Sequence, residues 1–229
     1  MEYEEWVPAY RSVLAAFGFD QAADERTRNR LATLSAGADP LVAPPATLDG
    51  ARVAIAGAAD SLETDIRSSP TNDRIVAASE AGHRLAAIGH PPDLIVTDLD
   101  GAPEATLSLA HAGVPTVIHA HGDNRAAIDR WVPEFPTGTI LPTTQAAPVD
   151  AVQNFGGFTD GDRAAFLADH FGAAELVFPG WTFDDPTVDA TKAEKLQWAA
   201  RLLYWLEVRR DDRFSILDGR RDAITLPWR

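Results

Sequence analysis

From Ala51 onward the chain alternates short, largely apolar runs with segments of helical spacing, and this rhythm restricts the fold more than any other feature. Val53-Ala54-Ile55-Ala56, Arg74 to Ala78, Leu94 to Thr97 and Thr116 to His119 are the first four such runs. Continuous apolarity over so few residues marks strands covered on both faces, as in a parallel sheet. Between them, Ser61 to Ile66, the stretch through Leu85 to Ile88, Leu107 to Ala112 and Arg125 to Trp131 read as helices. Thr139-Ile140-Leu141 and Glu175 to Phe178 extend the strand series, with a helix from Arg163 to Phe171 between them. The pattern predicts an α/β fold, a mostly parallel sheet with helices on both faces.

Both flanks differ from this centre. Trp6 to Leu34 has helical period, with Val7, Arg11, Leu14, Phe17, Leu31 and Leu34 in phase and a break near Gly18-Phe19-Asp20. Two amphipathic helices are expected there. The proline pair in Ala43-Pro44-Pro45-Ala46 sets a boundary, giving an N-terminal helical segment over residues 1–48 and a catalytic α/β domain over 49–190. Residues 191–229 begin with a long helix, Lys192 to Arg209, and Phe214 to Leu217 with Ala223 to Leu226 read as a short strand pair around Asp218-Gly219.

Composition narrows the setting. A formal net charge of −14 argues against a nucleic-acid partner. The chain has no cysteine, so disulfides and thiolate metal sites are excluded. No apolar run approaches the roughly 20 residues of a membrane span. Met1-Glu2-Tyr3-Glu4-Glu5 is acidic where a secretory leader is basic, so a cytoplasmic protein is expected. Lys192 and Lys195 are the only lysines. Abundant acids with so little lysine suit concentrated salt, where the Debye length falls to about 3 Å at 1 M and self-repulsion is screened.

Three motifs carry chemistry. In Pro92-Asp93-Leu94-Ile95-Val96-Thr97-Asp98-Leu99-Asp100-Gly101 a buried strand ends in two carboxylates at i, i+2. In an extended chain Asp98 and Asp100 would project to one side, a seat for Mg²⁺, which prefers oxygen ligands. The alternative is a turn that merely caps the next helix. His119-Ala120-His121-Gly122-Asp123-Asn124 crowds polar side chains at the next strand end. The histidine pair lacks the further ligands of a zinc site, which favours contacts to substrate or phosphate. Asn154-Phe155-Gly156-Gly157-Phe158-Thr159-Asp160-Gly161-Asp162-Arg163 opens a helix with glycines, acids and an arginine, a combination suited to phosphate, metal or a substrate amine. Gly57-Ala58-Ala59-Asp60-Ser61-Leu62 offers backbone amides that could face an anion, or a simple helix cap. Lys192 and Lys195 share a helix face, where Lys192 could meet a phosphate. No Walker-type or dinucleotide-binding glycine loop is present.

Taken in this order, the three motifs resemble the archaeal 6-hydroxymethyl-7,8-dihydropterin pyrophosphokinases, and the likeness runs over nearly the whole chain. That family is related in fold to thiamine pyrophosphokinases. The resemblance implies diphosphate transfer from ATP to a pterin hydroxymethyl group, with release of AMP. Asp98 and Asp100 would then ligate Mg²⁺, with Asp123 and Asp162 as further candidates for the metal or its shell. His119, His121, Asn124 and Arg163 would hold the triphosphate, while Asn154, Thr159 and Asp160 meet substrate. The chain departs from the family at Ala78-Ser79-Glu80-Ala81, where Asp-Gly is common, and at Gly180-Trp181-Thr182-Phe183, where relatives tend to read Gly-Met-Asp-Phe. Another alcohol such as thiamine, or nucleotide binding without turnover, are the competing readings. A homodimer through the N-terminal helices is compatible with their amphipathic pattern.

Overall fold

The computed structural model describes residues 1–69 and 71–229. Six strands, β1 (Arg52–Ala56), β2 (Arg74–Ala78), β3 (Leu94–Thr97), β4 (Thr116–Ala120), β5 (Ile140–Thr144) and β6 (Glu175–Val177), form one sheet in the order β5-β4-β3-β2-β1-β6. All five pairings are parallel. The fifth strand runs later than the apolar run predicted and includes Pro142. Proline is tolerated because β5 is an edge strand.

Alternation along the strands divides the core. Val53, Ile55, Val76, Val96 and Leu141 pack with α1 (Tyr3–Phe17), α7 (Asp160–His170) and α8 (Ala190–Arg210) through residues such as Trp6, Phe166 and Trp205. On the opposite face Ala54, Ala56 and Ala77 meet Leu62 of α3 (Leu62–Ser68) and Leu85 of α4 (Ala81–Ala87). Further along that face Ile118, Ala120 and Ile140 cover Leu31 of α2 (Gln21–Ser35), Ala110 of α5 (Pro103–His111) and Ile128 of α6 (Arg125–Trp131). Helices therefore cover both faces, as the strand composition requires. The N-terminal pair breaks where glycine permits it: Gly18 closes α1 at φ 66°, and the Asp20 side chain accepts from the Ala22 N–H to start α2. Trp6, Ala9, Tyr10 and Val13 of α1 are buried within the chain's own core. No helix among the described residues is long and apolar enough to cross a membrane.

One connection decides where the functional residues meet. The links from β1 through β5 are short and place α3 to α6 on one face. From β5 the chain must reach β6 at the opposite edge, and α7 makes that crossing over β1, β2 and β3 on the other face. Its N-terminus is thereby delivered to the carboxyl ends of the central strands, where ligands collect in open α/β sheets.

The C-terminal tail corrects the predicted strand pair. Ser215–Leu217 and Arg221–Ala223 are 3₁₀ turns. Glu207, buried on α8, accepts from the Phe214 N–H at 2.6 Å and from the Arg221 guanidinium at 2.7 and 2.8 Å. Arg221 also donates to the Phe214 carbonyl at 2.7 Å, so the tail folds around a charge pair and Leu217 is driven into the core. Tertiary pairing overrides the β propensity of these short apolar runs. Removing the arginine leaves Glu207 buried without its counter-charge. Arg221→Ala is expected to cost about 3 kcal/mol, read as a lowered urea midpoint, whereas the double variant Glu207→Gln/Arg221→Ala recovers part of that loss.

Candidate active site

The end of β3 is a turn and not the extended strand that the i, i+2 spacing suggests. Leu99 adopts φ 68°, in the left-handed region that a leucine rarely occupies. Its side chain is buried in the core, and its N–H is satisfied by Thr97 Oγ1 at 2.9 Å. Burying Leu99 turns both flanking aspartates toward one cavity. Gly101 follows without a side chain because a Cβ there would lie 2.6 Å from Ser79 Oγ. The two carboxylates converge all the same, and a third joins them from α7. Asp98, Asp100 and Asp160 each offer an oxygen, all within 4.8 Å of one another.

Arg163, one turn after Asp160 on α7, lies between them. Its Nη1 is 2.9 Å from Asp160 Oδ1 and 3.8 Å from Asp98 Oδ2, in a setting where its side chain is only 6% exposed. Gly157 makes this possible: at φ 94°, a Cβ would meet the Arg163 backbone at 2.6 Å. From the turn after β4, His121 Nε2 donates to Asp98 Oδ2 at 3.1 Å, while its Nδ1 accepts from the Asp123 N–H at 3.4 Å. That pairing fixes the ring proton on Nε2. Burial opposes ionisation of Asp98, but the His121 hydrogen bond and the Arg163 charge outweigh it and hold this carboxyl well below its ordinary range. Burial and the neighbouring Asp98 push Asp100 up to about 6, with Lys192 and Lys195 pulling the other way. Asp160 is likewise pushed well up, by burial and by Asp98. Three acids thus share too little positive charge. An all-oxygen donor set with unbalanced negative charge fits a hard divalent cation such as Mg²⁺.

The cavity around this cluster has a volume of about 520 Å³, within the range of small-molecule sites. Phe19 and Phe158, their ring centroids 6.3 Å apart, line it beside Asp123. Trp181 lines the β1–β6 side and donates from Nε1 to the Ile55 carbonyl at 2.8 Å. Its indole occupies space left by glycines, since a Cβ on Gly161 would lie 2.6 Å from the ring. Lys192, Lys195 and Thr159 also line it, with Glu80 beside Gly101. Among the described residues Glu80 is outside the three-acid cluster.

Other residues singled out by sequence hold the frame. Asn124 donates to the Asp98 carbonyl at 2.8 Å and to the His119 carbonyl at 2.7 Å, and accepts from the His121 N–H at 3.0 Å. It ties the ends of β3 and β4 together. Asn154 bridges the Ala146 carbonyl and the Gly156 N–H, both at 2.8 Å. Asp162, fully buried, forms a capping box with Thr159 and accepts the Thr159 hydroxyl at 2.7 Å. Its carboxylate faces the helix start and not the other acids. His119 is buried with Nδ1 at 3.1 Å from Thr143 Oγ1, and burial together with Arg163 lowers its pKa, so it is neutral. The histidines do not make a shared metal site, because each ring serves a different partner. Gly57, Ala58 and Ala59 line the cavity, and the N–H groups of Gly57 and Ala59 are donated to the carbonyls of Pro179 and Gly180. Sequence reasoning had no signal for Gln145 or Phe19 as lining residues. Both reach the cavity from elements that only the tertiary fold brings there.

Comparisons with known proteins give the family. The sequence profile of the family described as 6-hydroxymethylpterin diphosphokinase MptE-like matches residues 30–187. A Methanothermobacter thermautotrophicus protein named 6-hydroxymethyl-7,8-dihydropterin pyrophosphokinase is 34% identical, covering 94% of this chain and 99% of that protein. Proteins of the same name from Pyrococcus furiosus and Methanocaldococcus jannaschii are 35% and 31% identical, each covering 90% of this chain and 95% and 96% of their own lengths. With three acids gathered at the strand ends and likeness over almost its full length, the chain belongs to the MptE-like 6-hydroxymethylpterin diphosphokinase family.

Proposed function

We propose that this protein transfers an intact diphosphate from ATP to the hydroxymethyl group of 6-hydroxymethyl-7,8-dihydropterin, releasing AMP, with Mg²⁺ held by Asp98, Asp100 and Asp160. The observation that carries this reading is the convergence of those carboxylates beside Arg163 in a cavity of about 520 Å³, in a chain whose relatives bear that name. In the reaction the acceptor oxygen bonds to the β-phosphorus, the bond to the α,β-bridging oxygen breaks, and AMP leaves with that oxygen while the hydroxyl proton is released. Such transfers depend on alignment and on charge neutralisation more than on covalent help from the protein. Bound Mg²⁺ supplies that neutralisation at the phosphates.

The protein's own groups divide the remaining work. His121 keeps Asp98 ionised and oriented. Arg163 offsets the acids from below and is too buried to swing toward solvent. Lys192 and Lys195, on the first turns of α8, place positive charge at the cavity rim, where phosphate oxygens would enter. Phe19, Phe158 and Trp181 offer aromatic faces of the kind that stack flat heterocycles.

Nucleotide product analysis tests the reaction. With Mg²⁺-ATP and the pterin in concentrated KCl, chosen because of the net charge of −14, AMP should form only when the pterin is present. ADP as the product overturns diphosphate transfer, and AMP formation with thiamine in place of the pterin reassigns the acceptor. Tight ATP binding without turnover on either alcohol supports a binding protein instead.

Substitution separates site from scaffold. Asp98→Asn, Asp100→Asn and Asp160→Asn should each lower kcat by about a thousandfold or more while the circular dichroism spectrum is kept. Asp162→Ala should do the reverse, costing about 1–2 kcal/mol of stability through the lost cap with activity per folded molecule retained. Full activity in Asp160→Asn would remove that residue from the cation site.

A further inference from the structure

Outside the acid cluster, Asp24 on α2 is a buried carboxylate, 2% exposed, that ties three separate segments together. Its Oδ2 accepts from the Tyr10 hydroxyl at 2.6 Å and from Gln145 Nε2 at 2.9 Å. Its Oδ1 accepts from the Gly122 N–H at 2.7 Å. A buried carboxylate with three short donors is well satisfied, and hydrogen bonds to an ionised acceptor are roughly twice as strong as neutral ones. The three donors come from α1, from the segment after β5 and from the turn after β4. Two of those segments line the cavity, through Gln145 and through His121 with Asp123.

The seam is tight as well as charged. A Cβ on Gly122 would lie 2.9 Å from the Ala23 Cβ, so glycine is required for α2 to seat against this turn. The neighbouring residue, His121, directs Nε2 onto Asp98 at 3.1 Å. Trp6 of α1 adds a further clamp, donating from Nε1 to the Gln145 carbonyl at 2.9 Å. Residues 1–29, which include Asp24, precede the segment that the family profile matches.

We infer that Asp24 is a positioning residue for the active site: by holding the Gly122 amide it sets the His121 ring on Asp98, so the N-terminal helices are part of the machinery that shapes the cation site. The inference concerns the acid cluster and holds whichever alcohol is the acceptor.

Mn²⁺ affinity, measured by electron paramagnetic resonance, and the His121 imidazole NMR signals test it in the full chain. Gly122→Ala wedges the seam without touching an acid. It should weaken Mn²⁺ binding about tenfold and shift the His121 signals, the size typical of groups that orient metal ligands. Ala23→Gly/Gly122→Ala removes the opposing methyl and should restore both readouts. Asp24→Asn, which keeps an acceptor for the Gly122 amide but loses the charge, should fall between Gly122→Ala and the parent protein. Tyr10→Phe should lower stability and leave both readouts in place. The inference is overturned if Gly122→Ala and Asp24→Asn keep Mn²⁺ affinity and the His121 signals while only thermal stability falls. It is also overturned if the double variant is folded but not restored. These readouts need no substrate, so a failed pterin assay would leave them decisive.

Discussion

Three carboxylates whose oxygens lie within 4.8 Å of one another repel strongly, and the site exists because Arg163 is buried among them. A guanidinium is charged at every accessible pH and offers donors in a fixed plane, so it can bridge Asp160 and Asp98 where a lysine would supply only a point charge. Arg163 reaches that position from the first turn of α7. That in turn depends on the two glycines before it, which take φ 87° and 94° and let the loop pass close over the helix. One pair of glycines, one arginine and one crossing helix therefore set the charge balance of the whole cavity.

Around that centre a second layer consists of polar residues that never reach the cavity. Asn124 stitches β3 to β4, Asn154 closes the loop before α7, and Asp162 caps the helix. Asn124 and Asp162 sit beside cavity residues in sequence, and all three satisfy backbone groups that a turn leaves unpaired. Sharp turns at strand ends expose such groups, so a site built from turns requires these partners. This explains why residues of the same chemical type divide into cation-facing and backbone-facing sets only one or two positions apart.

The N-terminal helices belong to the same architecture. Trp6 and Tyr10 lie in the core with Phe166 and Trp205, and Asp24 extends that packing to the turn carrying His121. The tail is integrated in a comparable way, with Glu207 and Arg221 folding it onto α8. The segments at 1–48, 49–190 and 191–229 contribute to one shared core.

What the sequence determined by itself is local. Largely apolar runs specified parallel strands, because burial on both faces favours apolar side chains at nearly every position, and the βα rhythm followed. Asp98 and Asp100 were legible as a pair because an apolar strand ends there. The tertiary structure decided the rest. Asp160 joins them only because α7 crosses the sheet, a consequence of strand order that no local pattern encodes. Asp162 turns away because its carboxylate closes a capping box, and the expected C-terminal strands become 3₁₀ turns because a buried ion pair binds them to α8. Spacing along a chain tells which groups can be neighbours. Which of them face one another is set by long-range packing and by the need to pair every buried charge.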